Sequence, residues 1–155
     1  MSIPDGWSSP LMIDLFNRLS GGGSDSKILV GPNGKYLQVL MTPLSEDEPE
    51  PTIDETEEYF DGLAYRQSLH VVATGTIRVA NKEHFWATYY RMKLIRVSQI
   101  QFFKKYCLYL NRIEYLLTAG LHFASAGQKL PTDDMIRDSE GVYDEIVLSF
   151  KPLSD

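Results

Sequence analysis

Four residues in this chain carry side chains that commonly ligate metals or act as nucleophiles. They are His70, His84, His122 and Cys107. None of them stands in a CxxC or HExxH spacing, so the sequence favours packing or surface roles over a metal site. Cys107 lies in a short apolar run, where burial would raise the pKa of its thiol and make it unreactive.

The other residues that could support catalysis lack the required context. Ser125 has only one glycine of a nucleophile-elbow motif. The run Gly21-Gly22-Gly23-Ser24 lacks the lysine and the strand-to-helix setting of a phosphate-binding loop. The carboxylates of residues 46–58 crowd a proline-rich stretch, which is typical of solvated acids and not of a tuned acid–base pair. We therefore expect no enzyme activity, no metal and no cofactor.

A basic and aromatic stretch in the middle of the chain is the best candidate for binding. Its cations are Arg91, Lys93, Arg96, Lys104 and Lys105, and they are interleaved with Tyr89, Tyr90, Phe102, Phe103 and Tyr106. Cations that hold phosphates beside aromatic faces that stack on bases suit single-stranded RNA. The same mixture suits anionic lipid headgroups. The alternative is a solvated sheet face whose bases pair with the acidic stretch or with a neighbouring subunit.

Composition limits the class of protein. The chain has 155 residues, of which 43% are apolar and 23% charged, and this indicates one globular domain, residues 1–155. One cysteine cannot form an internal disulfide, which favours a reducing compartment. No apolar run approaches the roughly 20 residues that span a bilayer, so we expect a soluble protein, at most peripheral to a membrane.

The net charge of −6 is unevenly distributed. Residues 41–61 contain nine acids and no base, whereas residues 77–112 contain eight bases against Glu83 alone. A local positive field can attract an anionic partner even when the whole chain is acidic.

The pattern along the first half predicts a helix, a hairpin and a loop. Apolar residues recur at helical spacing over residues 10–19, after a capping serine. Strands over 27–30 and 35–41 flank Gly31-Pro32-Asn33-Gly34, a strong hairpin signal. Residues 43–58 predict an exposed and mobile acidic loop.

The second half predicts strands and one more helix. Alternation over 69–79 indicates a strand with a bulge at Gly75, followed by a β-rich stretch over 85–97, for which a helix capped by Asn81 remains an alternative. A short strand is expected over 106–110, a helix between Asn111 and Gly127, and an edge strand over 142–150. The predicted fold is a single α+β domain. Its mostly antiparallel sheet or sandwich carries one N-terminal amphipathic helix and one in the C-terminal half.

Three stretches resemble the matrix proteins of bornaviruses, which belong to the nonsegmented negative-strand RNA viruses. They are GWSSPLMID at residues 6–14, YF at 59–60 with SLHV at 68–71, and KKYCLYLN at 104–111 leading into the predicted helix that contains Ala119 and Phe123. The resemblance favours an extended segment over 10–19, where periodicity favours a helix, and both remain open. It implies a small α+β protein that forms symmetric oligomers, coats the inner leaflet of a host membrane and contacts nucleocapsid or RNA.

The sequence therefore leads to two main hypotheses. A third, an enzyme with a cryptic site, requires a deep pocket that gathers His70, His84 or His122 with carboxylates. The first is a viral matrix protein that self-associates, binds anionic membranes and contacts nucleocapsid or RNA during assembly and budding. It would lie beneath the virion envelope, and in the host cytoplasm or nucleus and at the inner membrane leaflet. Its anion contacts would be the five cations of the basic stretch. The second is a non-enzymatic adaptor whose acidic loop, residues 42–58, binds a basic protein partner.

Overall fold

The computed structural model describes residues 5–6, 25–31, 35–95, 97–125 and 132–150, except for the side chains of 25–27, 92–95, 97–99 and 122–125. In chain order the described elements are β1 (Asp25–Val30), β2 (Tyr36–Pro43), α1 (Ile53–Arg66), β3 (His70–Val79), β4 (Lys82–Ile95), β5 (Val97–Leu110), β6 (Ile113–Ser125) and α2 (Asp133–Leu148). Neither helix in these ranges has the length and apolar character needed to cross a membrane.

All strand pairs in the described sheet are antiparallel, and the spatial order is β1-β2-β6-β5-β4-β3. The strands β5 and β6 lie at the centre, while β1 and β3 form the edges. One helix packs on each face of the sheet, with its own cluster of buried side chains. The predicted class, a single α+β domain with an antiparallel sheet, is confirmed.

Alternation along the central strands divides the core between the two faces. Leu108 and Leu117 join the cluster under α2, and we call that side the α2 face. Phe103 and Cys107 join the cluster under α1, on what we call the α1 face. Successive side chains of a strand point to opposite faces, so a central strand covered on both sides is apolar almost throughout.

Two tight hairpins set the register of the four strands from β3 to β6. Ala80 and Asn81 have φ angles of 52° and 63°, and Asn111 and Arg112 have 51° and 63°. Two consecutive residues with positive φ form the turn whose twist matches antiparallel strands. Asn111 marked the start of a predicted helix, but here it begins a turn.

Helix α1 replaces the second half of the predicted acidic loop. Its N-terminus carries a capping box, in which the Thr52 hydroxyl accepts from the Glu55 backbone and the Glu55 carboxylate accepts from the Thr52 backbone. Thr56, Phe60 and Ala64 form its buried stripe. This T-x-x-E signal before a helical apolar period was present in the sequence.

The remaining acidic loop, residues 44–52, contacts two bases of the neighbouring hairpins. The Arg112 guanidinium donates to the carbonyls of Ser45 and Glu48 at 2.6 and 2.7 Å. Lys82 forms an ion pair with Glu50. The predicted mobility of this loop stays a prediction.

The predicted helix after Asn111 and the predicted edge strand over 142–150 are both wrong. Residues Ile113–Ser125 form strand β6, paired with β2 and β5, and the tail forms helix α2 with Thr132 as its N-cap. Tyr143, Ile146 and Val147 bury one side of α2 against the sheet.

Three smaller predictions concern the first hairpin, the helix over 10–19 and the bulge at Gly75. The strands predicted over 27–30 and 35–41 pair as β1 and β2, which confirms the hairpin, although its turn residues 32–34 lie outside the described residues. The predicted helix over 10–19 also lies outside them. The bulge expected at Gly75 occurs instead between Val71 and Ala73.

Candidate functional site

The two adjacent lysines of the predicted binding stretch lie on opposite faces of the sheet. Lys104 is on the α2 face and is 2% exposed. Its ammonium group lies 3.1 Å from a carboxylate oxygen of Asp144 and 4.0 Å and 5.0 Å from the ring centroids of Trp86 and Tyr106. A lysine that is buried and neutralised in this way cannot contribute to an exposed basic surface, so the expectation of an anion contact at Lys104 is corrected.

The other predicted cations are divided between described and undescribed parts of the chain. Arg96 and the side chain of Lys93 lie outside the described residues. Arg91 and Lys105 share the α1 face, on the neighbouring strands β4 and β5. Of the three predicted cations whose side chains the structure describes, it therefore brings together Arg91 and Lys105.

Arg91 and Lys105 line a shallow pocket of about 190 Å³ beyond the C-terminal end of α1. Its other lining residues are Tyr36, Gln38, Gln67, Gln101, Phe103 and Thr118. We call this the Arg91–Lys105 pocket. Its lining contains no carboxylate, and neither cation forms an ion pair with a described acid. The pocket is thus a local positive site in an acidic chain.

A chain of hydrogen bonds fixes the polar groups of this pocket. The Arg91 Nε donates to the Gln101 Oε1 at 3.0 Å, and the Gln101 Nε2 donates to the Tyr36 hydroxyl oxygen at 2.9 Å. The Lys105 ammonium donates to the Thr118 hydroxyl at 3.1 Å. The Arg91 guanidinium carbon and the Lys105 nitrogen lie 5.5 and 5.9 Å from the Phe103 ring centroid, so both cations flank one aromatic floor.

Tyr36 reaches the pocket because the residue opposite it has no side chain. Tyr36 pairs with Gly120 across β2 and β6, and a Cβ atom built on Gly120 would lie 2.2 Å from the Tyr36 ring. The ring therefore lies flat over Gly120, with its hydroxyl directed to Gln101. Sequence reasoning identified Arg91 and Lys105 but missed Tyr36 and Gln101, because their proximity depends on strand register.

The histidine and the cysteine that could support chemistry line a second cavity, of about 310 Å³, between α1 and the ends of β4 and β5. His84 is buried, its Nε2 lies 3.2 Å from the Val79 carbonyl oxygen, and its Nδ1 accepts from the Tyr109 backbone N–H at 3.3 Å. The first contact therefore requires a proton on Nε2. Burial lowers the pKa of His84, in keeping with a neutral ring.

Cys107 is buried beside the same cavity. Burial raises the pKa of its thiol to about 12, which leaves almost no thiolate at neutral pH. Among the described residues, no three histidine, cysteine, aspartate or glutamate side chains converge as a metal site would require. The geometry of His84 and Cys107 is that of structural residues.

Helix α1 presents a charged and aromatic outer surface. Asp54, Glu58, Asp61 and Tyr65 follow one another at helical spacings of four, three and four residues, with Glu55 and Tyr59 beside them. We call these six residues the acidic α1 surface. Tyr65 is 89% exposed and Tyr59 58% exposed. None of the four acids forms an ion pair with a described cation.

Strand β3, which follows α1 directly, is an exposed sheet edge. Val71 and Val72 are both exposed at the bulge near its start. His70 stacks on Tyr90 with ring centroids 4.7 Å apart, which supports this end of the strand. The acidic α1 surface and the adjacent edge are thus both exposed and available to a partner.

Comparison with known proteins gives a structural likeness only. No family model and no curated protein sequence matches the chain. The fold is similar to the solution structure of cyanobacterial PsbP (CyanoP) from Synechocystis sp. PCC 6803. The two share a TM-score of 0.60 and 10% sequence identity, over 97% of this chain and 84% of that chain.

This likeness contradicts the resemblance to bornavirus matrix proteins. PsbP, to which the fold is similar, is not a viral matrix protein, and no sequence match supports the viral assignment. The predicted matrix function is therefore wrong. The predictions that depended on it are wrong as well: the self-association, the membrane, nucleocapsid and RNA partners, and the location in a virion and its host cell. What the comparison establishes is that this chain has a fold similar to that of PsbP.

Proposed function

We propose that this chain is a non-enzymatic interaction domain whose acidic α1 surface binds a basic segment of a partner protein. The observation that carries the proposal is the set of four exposed carboxylates beside the exposed rings of Tyr59 and Tyr65. Large exposed aromatic side chains are enriched where proteins bind one another.

The chemistry of the surface favours lysine and arginine in the partner. A guanidinium group can pair with a carboxylate such as Asp61 while it stacks on a neighbouring tyrosine ring. Carboxylates at successive helical turns, such as Glu58 and Asp61, would meet several cations of one segment together. This develops the adaptor hypothesis from the sequence and moves its binding surface from the loop onto the helix.

The environments of His84 and Cys107 support the non-enzymatic part of the proposal. Both imidazole nitrogens of His84 contact the backbone, and the thiol of Cys107 is buried and protonated. The likeness to PsbP supplies a fold and no information on the acidic α1 surface.

The experiment is a titration of the protein with an eight-residue peptide of alternating lysine and arginine. Isothermal calorimetry measures the affinity, and backbone NMR locates the binding surface. We expect chemical-shift changes centred on residues 54–66. The double reversal Glu58→Lys and Asp61→Lys should weaken affinity about tenfold, since each exposed pair contributes roughly 0.2–1 kcal/mol and its reversal adds repulsion.

The matched control is the double reversal Asp138→Lys and Glu145→Lys on the exposed side of α2, which changes net charge equally. We expect it to retain affinity within about twofold. Equal weakening by both double variants would show that only net charge attracts the peptide, and the proposal would be refuted. Tyr65→Ala should cost about threefold through the lost cation–π contact.

A further inference from the structure

The Arg91–Lys105 pocket concentrates positive charge that no described acid neutralises. Burial lowers the pKa of Lys105, and the charge of Arg91 lowers it further. The folded protein therefore holds two cations near each other at a cost in free energy, in a chain of net charge −6. A bound anion would offset that cost.

We propose that the Arg91–Lys105 pocket is an oxyanion site that binds the carboxylate or phosphate end group of a small molecule. The site is separate from the acidic α1 surface, because its charged groups lie on β4 and β5. Those groups are cations and would bind an anion, whereas the acids of α1 would bind cations. The inference goes beyond the proposed function and does not depend on it.

The direction of each hydrogen bond shows that the pocket offers donors. Arg91 can only donate, so the atom of Gln101 that faces it must be the carbonyl oxygen. The amide nitrogen of Gln101 then donates to the Tyr36 hydroxyl oxygen, which leaves the Tyr36 proton available to a ligand. Burial raises the pKa of Tyr36, so this hydroxyl stays protonated at neutral pH.

The two cations add further donors. The Arg91 Nε is taken by Gln101, while its two terminal nitrogens contact no described acceptor and present the fork that matches two oxygens of a carboxylate or phosphate. The Lys105 ammonium uses one proton on Thr118 and retains two. Arg91, Lys105 and Tyr36 thus surround a space lined by no carboxylate.

The size of the pocket indicates what part of a ligand it holds. Its volume of about 190 Å³ is below the roughly 300–1,000 Å³ of pockets that enclose whole drug-sized molecules. The Phe103 ring between the two cations provides an apolar floor for a planar or compact group. An anionic end group fits these limits, with the rest of the molecule in solvent.

The test compares sodium phosphate, sodium malonate and sodium chloride at equal ionic strength and pH 7, with calorimetric affinity and the thermal unfolding midpoint as readouts. The phosphate and malonate titrations distinguish a ligand that ends in a phosphate from one that ends in a carboxylate. We expect at least one of them to bind and to raise the midpoint above that in chloride, since a ligand that binds only the folded state stabilises it.

Three variants connect binding to the donors. Arg91→Gln and Lys105→Met should each weaken affinity about tenfold or more, and Tyr36→Phe about threefold, because charged donors contribute more than neutral ones. Lys105→Met should unfold at an equal or higher temperature than the parent without anion, which shows that its loss of binding is not a loss of folding. Arg137→Gln on α2 is the control and should bind like the parent.

Some outcomes would overturn the proposal. Identical midpoints in phosphate, malonate and chloride would do so, as would unchanged affinity in Arg91→Gln and Lys105→Met. A glutamate-rich peptide that binds at this pocket when neither small anion does would assign it to a protein partner instead. A failure here leaves the basic-peptide result unaffected, because that experiment reports on a different surface.

Discussion

The buried ion pair between Lys104 and Asp144 gives an asymmetric prediction about stability. Lys104 is enclosed on the α2 face, where Asp144 is the one described acid paired with it. The Asp144 side chain is 36% exposed and also accepts from the Tyr106 hydroxyl. Removal of the acid leaves a buried charge, whereas removal of the lysine leaves a partly exposed acid that still accepts from the Tyr106 hydroxyl.

The magnitudes follow from this difference in burial. Loss of one partner from a fully buried pair costs about 3–5 kcal/mol, and the solvent access of Asp144 reduces this to about 2–3 kcal/mol for Asp144→Asn. For Lys104→Met we expect about 1 kcal/mol or less. Methionine fills the space beside Trp86 and Tyr106, and its sulfur contacts with aromatic rings replace part of the lost cation–π attraction.

Urea denaturation of both single variants and the double variant measures the coupling. We expect the double variant to be about as stable as Lys104→Met, which corresponds to a coupling of about 2–3 kcal/mol. If Asp144→Asn lies within about 0.5 kcal/mol of the parent, or if Lys104→Met is the more destabilised single variant, the reasoning about the buried charge is wrong.

Three further predictions concern two residues that line the second cavity and one residue of the hairpin between β3 and β4. Because burial lowers the pKa of His84, the folded state binds a proton less readily than the unfolded chain. The contribution of neutral His84 to the free energy of unfolding is complete above about pH 6.5, and it is lost as the pH falls from there towards the lowered pKa of the folded state. Urea titrations at pH 7.5 and 5.5 should therefore show a smaller loss of stability at the lower pH for His84→Gln than for the parent. The Cys107 thiol should react with a thiol reagent only at the rate of unfolding, and rapid labelling of the native protein would contradict its burial. Ala80 occupies a left-handed turn position, so Ala80→Asn should stabilise the protein by about 0.5–1 kcal/mol in thermal unfolding, while a lower midpoint would argue against the turn.

The β-rich class and its first hairpin were predictable because their signals are local. Gly31-Pro32-Asn33-Gly34 separates two apolar segments that pair as β1 and β2. Strand β6 was mistaken for a helix because both of its faces are covered. With Leu116 on the α1 face and Leu117 on the α2 face, helical spacings can be selected from an almost continuous apolar run.

The two described helices were missed for a different reason. The sequence contains both capping signals, Thr52 with Glu55 and Thr132 before two aspartates. The first lies in the stretch that was predicted as an acidic loop, and the second precedes the stretch that was predicted as an edge strand over 142–150. Amphipathic helices with charged outer faces have few apolar residues in total, and the period of those residues is the better signal. The stripe Thr56, Phe60, Ala64 shows that period.

The cations of the basic stretch lie in strands, where successive side chains point to opposite faces of the sheet. Lys104 and Lys105 are adjacent in sequence, yet one side chain enters the core beneath α2 while the other joins Arg91 on the α1 face. Clustered cations therefore do not form a single patch here. The functional candidate arises from strand register: it places Arg91 opposite Gln101 and Tyr36 opposite Gly120, and so turns two separated cations into one pocket with directed donors. Had the register shifted by one residue, those side chains would face α2 and the donors would be dispersed.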